Sequence, residues 1–161
     1  MLNVFVSYAH ADEQYKDEFR KHAAALRRNK IISLWNDREI VAGQEWESEI
    51  TENLEQADII LLLISPDFLD SDFCYDIEME RAVQRHDEGS ATVVPIILKD
   101  CDWAETPFAK IQGVPKDAKA VVTWSDRDTA WLDAIRSIKK AIEEHKKKFQ
   151  QSLPHHRATK I

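Results

Sequence analysis

The residues best placed to do chemistry follow a strongly apolar stretch in the middle of the chain. Residues 59–64 read IILLLI, which predicts a buried strand, and a Ser-Pro turn ends it. A helix is expected to begin at Ser71 or Asp72. It would carry Cys74 and Glu78 on one face, because residues four apart are neighbours on a helix. Open α/β sheets bind ligands just beyond the carboxyl ends of their strands, so Glu78 is a candidate functional carboxylate.

The signatures of common catalytic and cofactor sites are absent from this sequence. No Gly-rich dinucleotide fingerprint follows the first strand, and no P-loop, GxSxG elbow or HExxH pair occurs. The first strand ends Val6-Ser7-Tyr8, without the acidic residues of a phosphoacceptor receiver. None of the six histidines has the spacing of a metal ligand with a second ligand. We therefore expect neither a metal nor a bound cofactor.

Composition places the chain among single-domain globular proteins. It has 161 residues, 43% of them hydrophobic and 32% charged, with a net charge of −7. Seven Lys/Arg and only two Glu lie from Lys139 onward, so the rest of the chain is more acidic than the whole. An acidic body argues against nucleic acid as the main partner. We expect one domain over residues 1–148 and a basic, disordered tail or linker over residues 149–161.

Cysteine usage and apolar runs indicate a compartment. Cys74 and Cys101 form neither a CxxC motif nor a disulfide framework. Met1 runs almost directly into the first strand without a basic leader region. The longest apolar run is far shorter than the roughly 20 residues that span a bilayer. The sequence therefore predicts a cytoplasmic protein that does not engage a membrane.

Strand and helix patterns alternate along the chain. Helical periodicity covers residues 12–28, with Asp12 as a plausible N-cap, and returns at 45–57, 72–86 and 126–149. Strand patterns occupy residues 2–8, 31–35, 57–65, 91–98 and 120–124. The third should be central, because it is apolar throughout, whereas Pro95 suggests a bulge or an edge for the fourth. The predicted fold is a flavodoxin-like α/β three-layer sandwich with a five-stranded parallel sheet flanked by helices.

Four motifs in this order resemble a TIR (Toll/interleukin receptor) domain of the bacterial type. They are VFVSYAHADE at the first strand, WNDREIVAGQEW after the second, LLLISPDFLDSDFCYDIEM at the third, and VVPIIL followed by CDW and PF. The resemblance covers roughly residues 1–145. Each motif alone is weakly specific, whereas their order is specific to the family.

The resemblance implies two kinds of function. Some TIR domains associate with one another to pass on a signal, and others cleave NAD+ at the nicotinamide–ribose bond. The enzymatic members share a glutamate on the helix after the third strand, and Glu78 matches it. In some members the glutamate lies four residues after an aromatic residue, whereas Glu78 lies five after Phe73. Glu80 is therefore a rival, although it would lie on the opposite side of a helix from Glu78.

One glutamate is chemically sufficient for this reaction. Ordinary glycosidases use two carboxylates, one of which protonates the leaving oxygen. The nicotinamide of NAD+ is cationic and departs as a neutral ring, so it needs no general acid. A carboxylate beside the ribose can stabilise the oxocarbenium-like transition state and hold the ribose hydroxyls.

The resemblance also suggests substrate-binding residues around this glutamate. Ser7 and Tyr8 could hold a phosphate or ribose at the end of the first strand, or serve only local turn chemistry. Arg38 could pair with the pyrophosphate or be solvated. Trp46 could stack on a base, or form a buried helix face with Ile50 and Leu54. Cys74 is expected to pack beneath the site rather than act as a nucleophile.

Partners and alternatives follow from the same family. The loop Asp37–Gln44 resembles both a lid and an assembly surface, so other TIR domains are expected partners besides NAD+. A sensor domain or an activating nucleotide signal is also plausible for a bacterial antiphage or immune effector. The alternatives are a non-catalytic scaffold module and a nucleoside deoxyribosyltransferase. The product could be ADP-ribose or a cyclic isomer.

Overall fold

A computed structural model describes residues 1–40, 42–72 and 76–152, with the backbone alone for residues 151 and 152. Its strands are β1 (Leu2–Ser7), β2 (Ile32–Trp35), β3 (Ile59–Ile64) and β4 (Thr92–Ile97). Its helices are α1 (Glu13–His22), α2 (Ala24–Arg28), α3 (Trp46–Gln56), α4 (Pro66–Leu69), α5 (Ile77–Glu88) and α6 (Arg127–Ser152). Short 3₁₀ turns occupy His10–Asp12, Asp37–Glu39, Lys116–Ala118 and Val121–Thr123. No helix in these ranges is long and apolar enough to cross a bilayer.

The four strands form one parallel sheet in the order β2-β1-β3-β4. The register pairs Val4 with Ile59 and Ile59 with Thr92, so β3 lies between β1 and β4. All six residues of β3 are buried, which confirms the central position predicted from its continuous apolar run. β4 is the outermost strand of the described sheet, as Pro95 suggested.

Helices cover both faces of the sheet, as the predicted three-layer sandwich requires. On one face the side chains of Val4, Ile59 and Leu61 pack against α1, α2 and α6. On the other face Phe5, Ile60 and Leu62 pack against α3, α4 and α5, because successive strand residues point to opposite faces. The flavodoxin-like α/β architecture is therefore confirmed.

The strand count is four in the described residues rather than five. The predicted fifth strand at residues 120–124 is instead a 3₁₀ turn over Val121–Thr123. Its amides donate back within the segment, Thr123 N to Ala120 O at 2.9 Å, and only Val122 N reaches past β4 to Leu98 O at 3.1 Å. A five-residue segment rich in β-branched side chains is compatible with a strand and with a 3₁₀ turn. The hydrogen bonds within the segment stabilise the turn.

The helix expected from Ser71 or Asp72 begins later, at Ile77. Asp76 is extended, with φ −96° and ψ 176°, and its side chain accepts a hydrogen bond from Ile77 N at 2.7 Å. A separate helical turn, α4, begins at Pro66, because Ser65 caps it and Pro66 occupies its first turn. The extended backbone at Asp76 breaks the single helix on which Cys74 and Glu78 would share a face. Cys74 itself lies outside the described residues.

A buried histidine joins α6 to the amino edge of the sheet. His145 is 3% exposed, its Nδ1 lies 3.2 Å from Thr92 Oγ1, and its Nε2 lies 3.6 Å from Asp58 Oδ1. Burial lowers the pKa of His145, and Asp58 offsets part of that shift. The folded protein therefore binds fewer protons at this site than the unfolded chain, whose histidines titrate near a pKa of about 6.5.

Acid should consequently weaken the fold through His145. The free energy of unfolding should fall as the pH drops below about 6.5, because the unfolded state takes up the proton first. His145→Gln should show a shallower fall. Urea unfolding of both proteins between pH 8 and pH 5 measures this difference. Parallel pH profiles would show that His145 does not contribute.

Candidate active site

An apolar pocket of about 310 Å³ lies at the carboxyl edge of the sheet. The first connection leads from β1 to β2 on one side of β1, and the second leads from β2 past β1 to β3 on its other side. The direction in which strands are added to the sheet therefore reverses between β1 and β3. Such a switch point is where open α/β sheets bind ligands. The pocket is lined by Phe5, Val6, Ser7, Tyr8, Ala9, His10, Trp35, Asp37, Trp46, Ile50, Phe68, Ser71 and Asp72.

Aromatic rings form much of the pocket wall. The ring centroids of Phe5 and Trp35 lie 5.2 Å apart, and Tyr8, Trp46 and Phe68 face the same space. These side chains come from β1, β2, α3 and α4, so the pocket exists only when the sheet and both helices are assembled. Flat rings of this kind suit the planar base of a nucleotide.

Ser7 and Tyr8 are brought into the pocket lining by the end of β1. Ser7 is buried, while the Tyr8 hydroxyl donates to Glu13 Oε1 at 3.4 Å. Burial raises the pKa of Tyr8 to about 12, with a hydrogen bond from Arg38 acting in the opposite direction. Tyr8 therefore keeps its proton at neutral pH and can donate a hydrogen bond.

Arg38 is engaged with protein rather than open to the pocket. Its Nε lies 2.9 Å from Glu13 Oε1, and its backbone amide donates to Asn36 Oδ1 at 2.9 Å. Asn36 thereby caps the turn that begins the loop Asp37–Gln44. A substrate phosphate would have to compete with Glu13 for this guanidinium.

The pocket also holds a histidine that sequence reasoning missed. His10 Nε2 lies 2.7 Å from Asp37 Oδ2, and both residues line the pocket. This contact joins the loop after β1 to the loop after β2. The strand order could have indicated this contact. His10 follows β1 and Asp37 follows β2, and neighbouring parallel strands end at the same edge of the sheet.

Trp46 lines the pocket but does not belong to the buried face of α3. It is 57% exposed, whereas Ile50 and Leu54 on the same helix are buried. Trp46 is the first residue of α3. The alternative in which Trp46 packs together with Ile50 and Leu54 as one buried face is therefore wrong.

Glu78 is the second residue of α5 and is half-buried. Burial raises the pKa of its carboxyl, its own backbone amide lowers it, and Asp76 and Glu47 raise it further. Glu47 lies in the first turn of α3, directly after Trp46, so part of the charge that raises the pKa of Glu78 comes from that turn. Glu78 is not among the described residues that line the pocket.

Glu80 lies on a different surface. It is exposed and borders a shallow groove with Val83, Gln84 and Pro107, which contains none of the described pocket residues. The two candidate glutamates therefore differ in burial and in surroundings. Of the predicted site residues, the pocket lining brings together Ser7, Tyr8 and Trp46, whereas Arg38 and Glu78 are not among its described residues.

Metal chemistry has no support in the described ranges. They contain no group of three or more His, Cys, Asp or Glu side chains arranged to hold an ion. The arrangement offers an aromatic pocket whose lining includes the hydroxyl-bearing residues Ser7 and Tyr8, and a carboxylate of raised pKa, Glu78, outside that described lining. Such a pocket can bind a planar ring, and an ionised carboxylate stabilises positive charge that develops near it.

Comparison with known proteins identifies the family of the chain. The family model described as "TIR domain" matches residues 4–138. A curated protein of Sinorhizobium fredii, named uncharacterized protein y4lF, is 46% identical over 141 residues, which are 88% of this chain and 44% of that protein. The disease resistance protein RPP2B of Arabidopsis thaliana is 30% identical over 98 residues, 61% of this chain and 8% of that protein. The chain thus spans less than half the length of either relative.

A solved structure shares the fold. The TIR domain of the Toll-related receptor TRR-2 from Hydra magnipapillata superposes with a TM-score of 0.55 at 19% identity. The match covers 86% of this chain and 99% of that domain.

Proposed function

Because the chain belongs to the TIR domain family, we propose that it is an NAD+ hydrolase. It would cleave the nicotinamide–ribose bond to release nicotinamide and either ADP-ribose or a cyclic isomer. The observation that carries the proposal is Glu78, a half-buried carboxylate whose pKa is raised by burial and in part by Glu47, the sequence neighbour of the pocket residue Trp46. A non-catalytic module has no need for a carboxylate kept in that position.

The pocket supplies binding and orientation. Its aromatic walls, among them Trp35 and Phe68, would take a planar base by stacking. The protonated Tyr8 hydroxyl and the Ser7 hydroxyl lie at the end of β1, where they can bind the ribose or a phosphate. A base held in this way would place the adjoining ribose toward the rim of the pocket, on the side of Glu78.

Glu78 would carry the chemical step. As the bond to nicotinamide breaks, the electron pair leaves with the neutral ring and positive charge develops on the ribose. The ionised Glu78 carboxylate stabilises that charge electrostatically, and water or another nucleophile completes the reaction at the anomeric carbon. Partial burial strengthens this interaction because the local dielectric is lower than that of water.

Association with other TIR domains is the second candidate function. Two large apolar side chains near the site are exposed, Trp46 at 57% and Ile77 at 74%. Apolar side chains of this size on a rim favour contact with a protein partner. Both functions are compatible, since stacking of neighbouring domains through the loop Asp37–Gln44 could complete the catalytic site.

Assembly predicts a dependence of activity on protein concentration. Specific activity should rise with concentration, because more molecules would have a neighbour covering Trp46 and Ile77. Nicotinamide release per milligram is measured over a hundredfold range of concentration, with and without a crowding agent. A constant specific activity would show that each molecule acts alone.

The experiment that tests the proposed function compares two substrates with one preparation. Purified protein is incubated at high concentration with NAD+ or with 2′-deoxynucleosides, and released bases are separated by chromatography. Release of nicotinamide from NAD+ alone supports the proposal. Release of bases from deoxynucleosides alone indicates a nucleoside deoxyribosyltransferase. Release from neither, with folded protein and a crowding agent present, favours the scaffold.

The cellular role belongs to the same proposal. An enzyme of this kind would act in the cytoplasm as a bacterial antiphage or immune effector that depletes NAD+ or makes an ADP-ribose-derived signal. A sensor domain or an activating nucleotide would control it.

A further inference from the structure

A fully buried carboxylate lies behind the pocket and has no part in the chemistry described above. Asp12 precedes α1 in the position of an N-cap, but its side chain makes no capping hydrogen bond. It is 0% exposed, and its Oδ2 accepts a hydrogen bond from the Ser65 hydroxyl. Its other oxygen, Oδ1, accepts no hydrogen bond from the described residues and lies 3.8 Å from Lys99 Nζ.

The three residues of this cluster follow three adjacent strands. Asp12 comes after β1, Ser65 after β3 and Lys99 after β4, all at the carboxyl edge that bears the pocket. Removing a carboxylate from water is costly unless other groups compensate it. The hydroxyl of Ser65 and the ammonium of Lys99 supply that compensation, so the cluster ties the three strand ends together.

From Ser65 the hydrogen bonds continue into one wall of the pocket. The Ser65 hydroxyl oxygen accepts from Phe68 N at 3.0 Å. The carbonyl of Phe68 accepts from Ser71 Oγ at 2.5 Å and from Ser71 N at 3.0 Å. Both Phe68 and Ser71 line the pocket. A shift of Ser65 would therefore move this wall.

From Asp12 a second connection reaches the opposite wall. The backbone amide of Asp12 donates to Ala9 O at 2.8 Å, and Ala9 and His10 line the pocket on that side. Asp12 is thus connected to two parts of the pocket lining, to Ala9 through its main chain and to Phe68 through its carboxylate and Ser65.

We propose that Asp12 is a positioning residue that sets the distance between the α4 wall of the pocket and the wall formed by the loop after β1. Its carboxylate acts through Ser65 and does not touch the substrate. The consequence for catalysis rests on the proposed NAD+ cleavage, because correct spacing would orient the ribose toward Glu78. The spacing of the walls themselves is independent of what the pocket binds.

The test uses Asp12→Asn, Ser65→Ala and the double variant. Asp12→Asn replaces the charged acceptor of this hydrogen bond with a neutral one, and Ser65→Ala removes its donor. Each should lower kcat/KM for NAD+ about tenfold, since small misplacements of a substrate are costly to rate. The double variant should lose no more than the worse single variant, because both act through one contact. Thr92→Val removes a part-buried hydroxyl at the opposite edge of the sheet and serves as the matched control with unchanged kcat/KM.

A spectroscopic measurement on the same variants does not require activity. The indole N–H signals of Trp35 and Trp46, which line the pocket, should shift in Asp12→Asn and in Ser65→Ala. The imidazole signals of His145, at the far edge of the sheet, should stay in place. If Asp12→Asn does not fold, Ser65→Ala still tests the same hydrogen bond, because it removes the donor.

The outcomes separate the two proposals. Shifted indole signals with reduced, non-additive kcat/KM support the positioning role. Shifted signals in a protein that releases no nicotinamide even as wild type would retain the positioning role and overturn the proposed function. Unchanged indole signals in a folded variant, or fully additive losses of kcat/KM, would overturn the positioning role.

Discussion

Glu78→Gln should slow nicotinamide release at least a hundredfold while leaving the protein folded. Glutamine keeps the shape of the side chain at the second position of α5 but removes the negative charge that would face the developing ribose cation. Loss of one electrostatic group of this kind lowers kcat by about a hundredfold to a thousandfold. Stability should not suffer, because the charge of Glu78 is repelled by Asp76 and Glu47 in the folded protein. Nicotinamide release and thermal melting are measured on the same preparations.

Glu80→Gln is the matched control for this prediction. It makes the same change of charge two residues along α5, on a surface that carries none of the described pocket residues. It should retain activity close to that of the wild type. Equal losses in the two variants would indicate a general effect of helix charge and remove the special role of Glu78.

Arg85→Met should cause the largest loss of stability. Arg85 is 7% exposed, and its guanidinium donates to Leu54 O at 2.8 Å, Ala57 O at 2.7 Å and Ser90 O at 2.9 Å. These bonds join the end of α3 to the connection between α5 and β4. Methionine fills similar space but leaves buried carbonyls without donors, which costs about 1–3 kcal/mol for each unsatisfied group. We expect the free energy of unfolding to fall by about 3 kcal/mol or more.

Arg81→Met provides the comparison on the same helix. Arg81 forms a two-pronged pair with Glu55, with Nε–Oε2 at 2.6 Å and Nη2–Oε1 at 2.8 Å, but the pair is largely exposed. Exposed pairs contribute about 0–1 kcal/mol. Urea unfolding followed by circular dichroism compares the two variants with the wild type. A similar fall in the free energy of unfolding for both variants would show that burial of Arg85 does not increase its contribution to stability.

Patterns of apolar residues were sufficient to predict the four parallel strands of the described sheet. The run at residues 59–64 indicates a strand buried on both faces, and alternation of strands with helices indicates parallel pairing. Since parallel strands present their carboxyl ends at one edge, Ser7 and Tyr8 could be assigned to the same rim as the segment after β3. The order of four motifs was enough to predict the family.

Short segments with two compatible local structures could not be assigned in this way. Residues 120–124 form a 3₁₀ turn, because hydrogen bonds within the segment replace a full ladder on β4. The helix α5 begins at Ile77 because the side chain of Asp76 caps it, although the residues before it also fit a helical pattern. In both segments the apolar pattern is too short to predict the local structure. Individual hydrogen bonds determine it instead.

By itself, the sequence determined which segments are buried, the parallel α/β architecture and Glu78 as the candidate carboxylate. The burial and the architecture follow from residue type and spacing along the chain, and the choice of Glu78 follows from the resemblance to the TIR family. Only the tertiary structure decided that Arg85 links α3 to the start of β4 and that Asp12 turns inward to Ser65 and Lys99. It alone also brought Glu47 near Glu78. Such contacts join residues distant in sequence, and their energies depend on burial and geometry that exist only after the layers have packed.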